Sequence, residues 1–177
     1  MKSDQEFVYI ALGSNLGDRE AVFAQVIDVM EAERTIELRA ASPVFETDPI
    51  GPGDQDRYLN AVLHVATKRA PLALLDWLQG IEVALGRERS DTAERWVARV
   101  IDLDILFYGK LCLESERLVI PHPRAHERSF VLMPMAALAP EYEHPKLGET
   151  IGTLAESLAD QGSVRLHSGP SNWPAND

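Results

Sequence analysis

The chain has 177 residues, of which 45% are hydrophobic and 25% are charged, and its formal net charge is −11 at pH 7. This composition is typical of one globular domain, and the net negative charge disfavours binding to a nucleic-acid backbone. No run of about 18 apolar residues suits a membrane span, and the single cysteine, Cys112, excludes an intrachain disulfide and a cysteine-based zinc site.

The first part of the chain predicts a strand, a helix and a second extended stretch. Phe7–Leu12 is short, apolar and rich in β-formers, which predicts a strand. Asp18 can accept hydrogen bonds from the first turn of a helix, and apolar residues recur at helical spacing between Val22 and Met30. A second extended stretch is expected over 36–46.

The remaining elements follow in a mixed order. A strand is predicted at 58–67, and Pro71 suits the first turn of a helix that reaches Leu85. Val100–Tyr108 is the most strand-like run of the chain, and helical patterns return near 124–138 and 150–158. Two adjacent late strands favour an α+β fold over a strictly parallel α/β fold.

We expect one domain over residues 1–162 and a loosely ordered C-terminal tail over 163–177, which is rich in Gly, Pro, Ser and Asn. The N-terminus is polar and carries two acidic residues, unlike a secretory signal peptide. These features lead us to expect a cytoplasmic protein with no nucleic-acid or membrane partner, and a monomer.

The run from Arg99 to Phe107 is the most informative stretch. Side chains alternate between the two faces of a strand, so Asp102 and Asp104 are predicted to share one face. The opposite face is predicted to carry Ile101, Leu103, Ile105 and Phe107. Two neighbouring carboxylates repel each other unless a cation lies between them, and oxygen ligands suit Mg²⁺. The alternative is that both carboxylates face solvent or pair with arginines.

Arginines concentrate around this pair. Residues 87–128 contain eight of the 17 basic residues, together with eight acidic ones. Metal ions and guanidinium groups are what a phosphoryl transfer needs to offset its developing charge. The alternative is that these charged residues form ion pairs on a solvated surface and bind no ligand. The sequence contains neither a glycine-rich phosphate-binding loop nor a dinucleotide-binding glycine motif.

Single residues elsewhere have both a functional and a structural interpretation. Glu82 is either a functional residue or an exposed residue of its helix. His122 lies between Pro121 and Pro123, and it is either a functional residue whose ring the stiff turn holds in place or a structural part of that turn. Trp96 lies in the arginine-rich loop, where it can stack on a ligand or anchor the loop.

Together these residues resemble the 6-hydroxymethyl-7,8-dihydropterin pyrophosphokinase family of folate biosynthesis. The resemblance extends from about Val8 to Leu158, with the motifs in the family's order. The matching positions are Ala11–Gly17, Thr47, Gly51–Pro52, Tyr58–Ala61, Ile81–Glu82, Gly86–Arg87, Arg95–Leu106, Arg117–Leu118, Pro121–His122 and Arg128–Phe130.

The resemblance implies a ferredoxin-like α+β core, with a mainly antiparallel sheet between two helical layers. It implies ATP as co-substrate and two Mg²⁺ ions held by Asp102 and Asp104. The catalytic residues it implies are Arg87, Arg95, Arg99, Asp102 and Asp104. The implied pterin site contains Phe45, Thr47, Tyr58, Asn60, Trp96 and Phe130. The implied nucleotide site contains Gln79, Glu82, Arg89, Ile105, Arg117, His122 and Arg128.

The implied reaction is attack of the pterin hydroxymethyl oxygen on the β-phosphorus of ATP, with release of AMP. Two residues depart from the family pattern: Val97 stands where Gly or Ala is usual, and Asp48 stands where Pro follows the matching threonine. We expect activity to survive both, with altered loop closure and an added charge on the pterin side.

Two alternatives are left by the residues alone. A metal-dependent phosphohydrolase would use the same aspartates and arginines with water as nucleophile. It would not need the pterin-side set together, namely Thr47, Tyr58, Asn60 and Phe130. A non-catalytic pterin- or nucleotide-binding module would keep the pocket without needing the Asp102 and Asp104 pair.

Overall fold

The computed structural model describes residues 5–49, 55–86, 99–158 and 164–174. The described strands are β1 Glu6–Ser14, β2 Ile36–Ala41, β3 Val44–Thr47, β4 Tyr58–Thr67, β5 Asp102–Tyr108, β6 Leu113–Glu114, β7 Val119–Ile120 and β8 Val164–His167. The described helices are α1 Arg19–Ala32, α2 Pro71–Ala84, α3 Ser129–Leu138 and α4 Ile151–Ser157, with a 3-10 turn at Ala125–Glu127.

Six strands form one antiparallel sheet in the order β5-β1-β4-β3-β8, and β2 also pairs with β4. The two long apolar strands, β1 and β4, lie at its centre and pair from Glu6 opposite Thr67 to Ser14 opposite Leu59. The short strands β6 and β7 form a separate ribbon. The arrangement confirms the predicted antiparallel α+β fold.

Helices cover both faces of this sheet. Asp18 caps α1 by accepting a hydrogen bond from the Ala21 N–H at 3.0 Å, as the sequence predicted. The apolar sides of α1 and α2 pack with one face of β1, β4 and β5 around Phe23, Leu78 and Ile10. The opposite face packs with α3 and α4 in a second core. The result is a helix–sheet–helix sandwich with the charged end of β5 at its rim.

Phe107 does not lie on the face that simple alternation predicts. Tyr9 pairs with Phe107 while Ile10 pairs with Ile105, so Leu106 is an extra residue opposite the β1 ladder. Such a bulge places two consecutive side chains on the same face. Leu106 and Phe107 therefore both join the α3–α4 core, whereas Leu103 and Ile105 pack with α1 and α2. The prediction was wrong for Phe107 and right for the three apolar residues before it.

The extended stretch predicted over 36–46 is two strands placed end to end along β4. Pro43 has no N–H to continue the ladder. Ser42 replaces the missing pairing, because its N–H donates to the Val62 carbonyl at 2.8 Å and its hydroxyl accepts from the Val62 N–H at 2.9 Å. The break reorients β3 toward the end of the sheet that carries the polar residues.

Residues 164–174 differ from the loosely ordered tail that we expected. They form β8, which pairs with β3, and continue to Trp173, whose ring stacks on Phe23 at 5.5 Å between ring centroids. The Trp173 indole N–H also donates to the Ser42 carbonyl at 2.8 Å. Composition alone missed this segment because its stabilising contacts are all distant in sequence.

Within the described ranges, every helix is too short or too polar to cross a bilayer.

Candidate active site

Strand β5 presents the two aspartates of the sequence motif. Asp102 and Asp104 both line a cavity at the edge of the sheet, while Leu103 between them is buried in the α1–α2 core. The Leu103 N–H donates to the buried Glu82 carboxylate at 2.7 Å. Glu82 therefore ties helix α2 to the strand between the two aspartates, and this contact holds the pair in place.

The carboxyl of Asp104 is largely buried and lies near other charged side chains. Burial raises the pKa of Asp104 well above its ordinary value, and the nearby carboxylates of Asp102 and Glu82 raise it further. Arg128 and Arg99 act in the opposite direction but do not cancel the effect. Among the described residues, burial and the two neighbouring carboxylates therefore outweigh the effect of these two arginines on Asp104.

Arg99 is fixed on both its backbone and its side chain. Its guanidinium pairs with the Asp102 carboxylate at 2.8 Å. Its N–H donates to the Asn15 side-chain oxygen at 2.8 Å, and its carbonyl accepts from the Asn15 N–H at 3.1 Å. Asn15 is 1% exposed, so this double contact is shielded from water. The polar end of β1 thus positions a candidate catalytic arginine.

The cavity has a volume of about 710 Å³ and is bounded by β1, β3, β4, β5 and the segment after β7. Nine of the predicted site residues line it: Thr47, Tyr58, Asn60, Arg99, Asp102, Asp104, His122, Arg128 and Phe130. These nine residues come from distant parts of the chain, and the fold brings them together around one cavity.

Small residues on β1 separate the two functional walls. Gly13 pairs with Asp102 on one side and with Asn60 on the other, and Ala11 pairs with Asp104. Neighbouring strands are about 4.8 Å apart, so Asp102 and Asn60 belong to strands about 10 Å apart. The missing side chain at Gly13 leaves the space between them open. Asp102, Gly13 and Asn60 thus form a row across the sheet, which leads from the acidic pair to the side-chain amide of Asn60.

The amide is held in one orientation. The Asn60 side-chain nitrogen donates to the Thr47 hydroxyl at 2.7 Å, and both residues are 5% exposed. Because the Thr47 oxygen accepts this bond, its own proton is available for another acceptor. An amide and a hydroxyl fixed in this way can recognise the polar edge of a heterocycle.

The opposite wall follows β7. The His122 Nδ1 accepts from the Arg124 N–H at 3.2 Å, which leaves the ring proton on Nε2. Burial and the adjacent Arg128 lower the pKa of His122 to about 4, so the ring is neutral at pH 7. The Arg128 guanidinium lies 5.6 Å from the Phe130 ring centroid, within cation–π range. This wall therefore offers the Arg128 cation beside Phe130 and a neutral N–H donor from His122.

Five predicted site residues do not line this cavity, namely Phe45, Gln79, Glu82, Ile105 and Arg117. Phe45 lies on β3 opposite Asn60, and Ile105 is buried in the α1–α2 core. Arg117 is exposed and pairs with Asp76 of α2. Arg87, Arg89, Arg95 and Trp96, together with Val97, lie outside the described residues. The roles assigned to all of them stay predictions.

The structure places further residues at the site to which the sequence analysis assigned no individual role there. Asn15 anchors Arg99, while Gly13, Arg124 and Glu127 line the cavity. A buried polar residue directly after an apolar strand was the available signal for Asn15. Among the described residues there is no group of three or more His, Cys, Asp or Glu side chains that could hold a metal alone. A metal here would need ligand atoms from a substrate or from water.

Known proteins with similar sequences identify the family to which the chain belongs. Residues 9–140 match the family described as 7,8-dihydro-6-hydroxymethylpterin-pyrophosphokinase. The chain is 42% identical over 158 residues to the 2-amino-4-hydroxy-6-hydroxymethyldihydropteridine pyrophosphokinase of Bacillus subtilis, covering 89% of this chain and 88% of that protein. It is 42% identical to the same-named enzyme of Pseudomonas aeruginosa, covering 90% of this chain and 96% of that protein.

A solved structure with the same fold is the Plasmodium falciparum HPPK-DHPS wild type with pteroate. The TM-score is 0.67 at 17% identity, over 89% of this chain. The chain spans 44% of that solved chain. At this identity the likeness shows the fold alone, and it agrees with the helix–sheet–helix sandwich.

The family match and the two relatives identify an ATP-using transferase, a class that an acidic pair in an arginine-lined cleft suits. The chain belongs to the 7,8-dihydro-6-hydroxymethylpterin-pyrophosphokinase family. It transfers pyrophosphate from ATP to hydroxymethyldihydropterin in folate biosynthesis. This membership answers the two alternatives left by the sequence, a phosphohydrolase and a non-catalytic binding module.

Proposed function

We propose that Asp102 and Asp104 hold two Mg²⁺ ions together with the phosphate oxygens of ATP. The raised pKa of Asp104 supports this fit, because it reflects first the burial of the carboxyl and then the neighbouring carboxylates, and a divalent cation would stabilise the ionised form against both. Two carboxylates with the remaining positions filled by phosphate and water are the ligand set that Mg²⁺ favours. When bound, the metal ions polarise the phosphate oxygens and neutralise charge that develops during transfer.

The pterin occupies the wall of β3 and β4 in this proposal. The observation that carries this proposal is the row from Asp102 through Gly13 to Asn60. The fixed Asn60 amide is separated from the acidic pair only by strand β1, where Gly13 has no side chain to fill the gap. The Asn60 and Thr47 side chains would bind the polar edge of the pterin ring, and Tyr58 and Phe130 would enclose it. The hydroxymethyl group would then point toward the acidic pair.

The protein's own contribution to the reaction is positioning and charge. Arg99 is already paired with Asp102, so it would lie beside the transferred phosphates when they reach the acidic pair. Arg128 and the neutral His122 would contact the nucleotide from the opposite wall. Fixed donors of this kind stabilise a transition state without having to reorganise. The site would be completed by four residues that lie outside the described ranges, namely Arg87, Arg89, Arg95 and Trp96.

The test separates the two walls. Asn60→Ala is expected to raise the KM for the pterin about tenfold or more while leaving the KM for ATP unchanged, since a site built around hydrogen bonds loses them on truncation. Asp102→Ala is expected to abolish AMP formation and to remove the Mg²⁺ dependence of ATP-analogue binding in calorimetry. Glu31→Ala, which changes an exposed carboxylate on α1 that does not line the cavity, is the control. Equal effects of Asn60→Ala on both KM values would refute the assignment of the pterin wall.

We also propose that the protein acts in the cytoplasm as a monomer. The net charge of −11 supports this, because like charge disfavours self-association. Light scattering on the purified chain should then give a mass near 19.6 kDa. A mass twice that value would contradict the monomer.

A further inference from the structure

The C-terminal clamp, which we define as residues 164–174, encloses the strand that carries the proposed pterin wall. Strand β3 has four residues and pairs with β4 through only three of them, from Phe45 opposite Asn60 to Thr47 opposite Tyr58. Strand β8 pairs with its other side over all four, from Val44 opposite His167 to Thr47 opposite Val164. A strand this short depends on both neighbours for its position.

The clamp is attached to a rigid part of the molecule. His167 lies 3.3 Å from Glu20, and the Asn172 amide donates to the Ala24 carbonyl at 3.1 Å and to Asp28 at 3.0 Å. These three α1 residues are four apart and therefore lie on one side of the helix. The Trp173 contacts with Phe23 and Ser42 fix the end of the segment. The clamp thus fastens β3 to helix α1.

An alternating row of charges connects the clamp to the cavity rim. Arg165 of β8 lies 3.2 Å from Asp48, which lines the cavity directly after β3. Arg57, just before β4, reaches the same Asp48 oxygen at 3.0 Å and Glu46 at 3.5 Å. Glu46 also pairs with Arg19 of α1 at 3.0 Å. Asp48 lies just before residues 50–54 and Arg57 lies just after them. The row of ion pairs therefore connects the chain on both sides of these residues to β8.

We propose that Arg165 is a positioning residue for the pterin half of the site, acting through Asp48 at the cavity rim. The inference rests on the proposed placement of the pterin against β3 and β4. Arg165 touches no reacting group. It shares Asp48 with Arg57 and thereby fixes the direction in which the chain leaves β3 after Thr47. Without it, the rim after β3 loses its ion pair to β8 and gains freedom that pterin binding must remove.

The expected effect is selective and moderate. Arg165 and Asp48 are 47% and 49% exposed, and pairs at this exposure contribute little energy individually. We therefore expect Arg165→Ala to raise the KM for the pterin about two- to fivefold. The KM for ATP, kcat and the melting temperature should stay unchanged. Arg165→Lys keeps the charge and should restore most of the loss.

A matched control is available on β2. Arg39 is 49% exposed and pairs with Glu37 at 2.6 Å, yet neither residue lines the described cavity. Arg39→Ala should leave the KM for both substrates unchanged. Asp48→Asn, which also weakens the Arg57 contact, should raise the KM for the pterin at least as much as Arg165→Ala. The double variant should be no worse than Asp48→Asn, because both changes remove the Arg165–Asp48 contact.

The outcomes separate this inference from the proposed function. If Asn60→Ala weakens pterin binding but Arg165→Ala equals Arg39→Ala, the positioning role is wrong and the pterin wall stands. Additive effects of Asp48→Asn and Arg165→Ala, or equal changes in both KM values, would also overturn the role. If Asn60→Ala has no pterin-specific effect, the proposed pterin wall itself fails.

Discussion

Replacing Asp104 by Asn should make the protein without bound metal more stable while abolishing its activity. Asp104 lies two residues from Asp102 on one strand face, with Glu82 behind the strand, and its pKa is raised by burial and by both carboxylates. Such an arrangement is unfavourable until a cation is bound. Asn keeps the shape of the side chain and removes the charge.

The magnitude follows from the strand geometry. Residues two apart on a strand are separated by roughly 7 Å along it. Two unit charges at that distance repel by about 2.4 kcal/mol at an effective dielectric constant of about 20. Arg99 and Arg128 offset part of this repulsion, while burial of the charge adds to the cost, so we expect a net gain of at least about 1–2 kcal/mol. For a chain of this length that corresponds to a rise of about 2–8 °C in Tm.

The pH dependence gives the sharper test. At low pH the Asp104 carboxyl is protonated in both the folded and the unfolded chain, so Asp and Asn differ little. As pH rises above the ordinary pKa, the unfolded carboxyl ionises while the folded one resists. The stability of the protein with Asp104 then falls relative to the variant, until pH exceeds the raised folded pKa. The gap should therefore be larger at pH 8 than at pH 5.

The assay is thermal unfolding of both proteins without metal at the two pH values. Adding Mg²⁺ with a non-hydrolysable ATP analogue should raise the Tm of the unmodified protein but not that of Asp104→Asn. Asp76→Asn, an exposed change of the same chemistry, should alter stability by less than about 0.5 kcal/mol. A variant less stable than its parent at pH 8, or a gap independent of pH, would refute the reasoning.

Two further predictions follow from residues around the acidic pair. Asn15→Ala should lower kcat by about 10- to 100-fold by releasing the Arg99 backbone, measured as AMP formation; an unchanged kcat would show that Arg99 needs no such anchor. Because the folded pKa of His122 is lowered to about 4, the unfolded chain binds its proton first as pH falls below about 6.5, and stability is lost there. His122→Gln should remove up to about 1.4 kcal/mol of that loss per pH unit in urea titrations at pH 7 and pH 5, and parallel curves would contradict it.

The sequence predicted most of the central sheet because its signals are local. The alternation of Asp102 and Asp104 with apolar neighbours placed the carboxylates correctly, and Asp18 was identified as the cap of α1. Both features depend on residues within a few positions of one another. The prediction failed at Phe107, where the bulge at Leu106 is set by pairing with β1, about 100 residues earlier.

The site contacts that sequence reasoning missed are long-range in the same sense. Asn15 and Arg99 are 84 residues apart, and Arg165 and Asp48 are 117 apart. No local pattern relates such pairs, because they meet only when the strands that carry them are in the sheet. The C-terminal clamp was missed for this reason, since its composition resembles that of a loop while its partners lie on α1 and β3.

The end of β1 shows how one short segment serves both the fold and the site. Its apolar part is buried at the centre of the sheet, where continuous pairing with β4 and β5 fixes its position. Gly13 then opens the cavity between Asp102 and Asn60, and Asn15 holds Arg99 at its edge. A side chain at position 13 would narrow the gap between the two walls, and an apolar residue at position 15 would leave the buried Arg99 N–H without an acceptor. The polar sequence that ends this apolar strand is therefore set by the geometry of the reaction site.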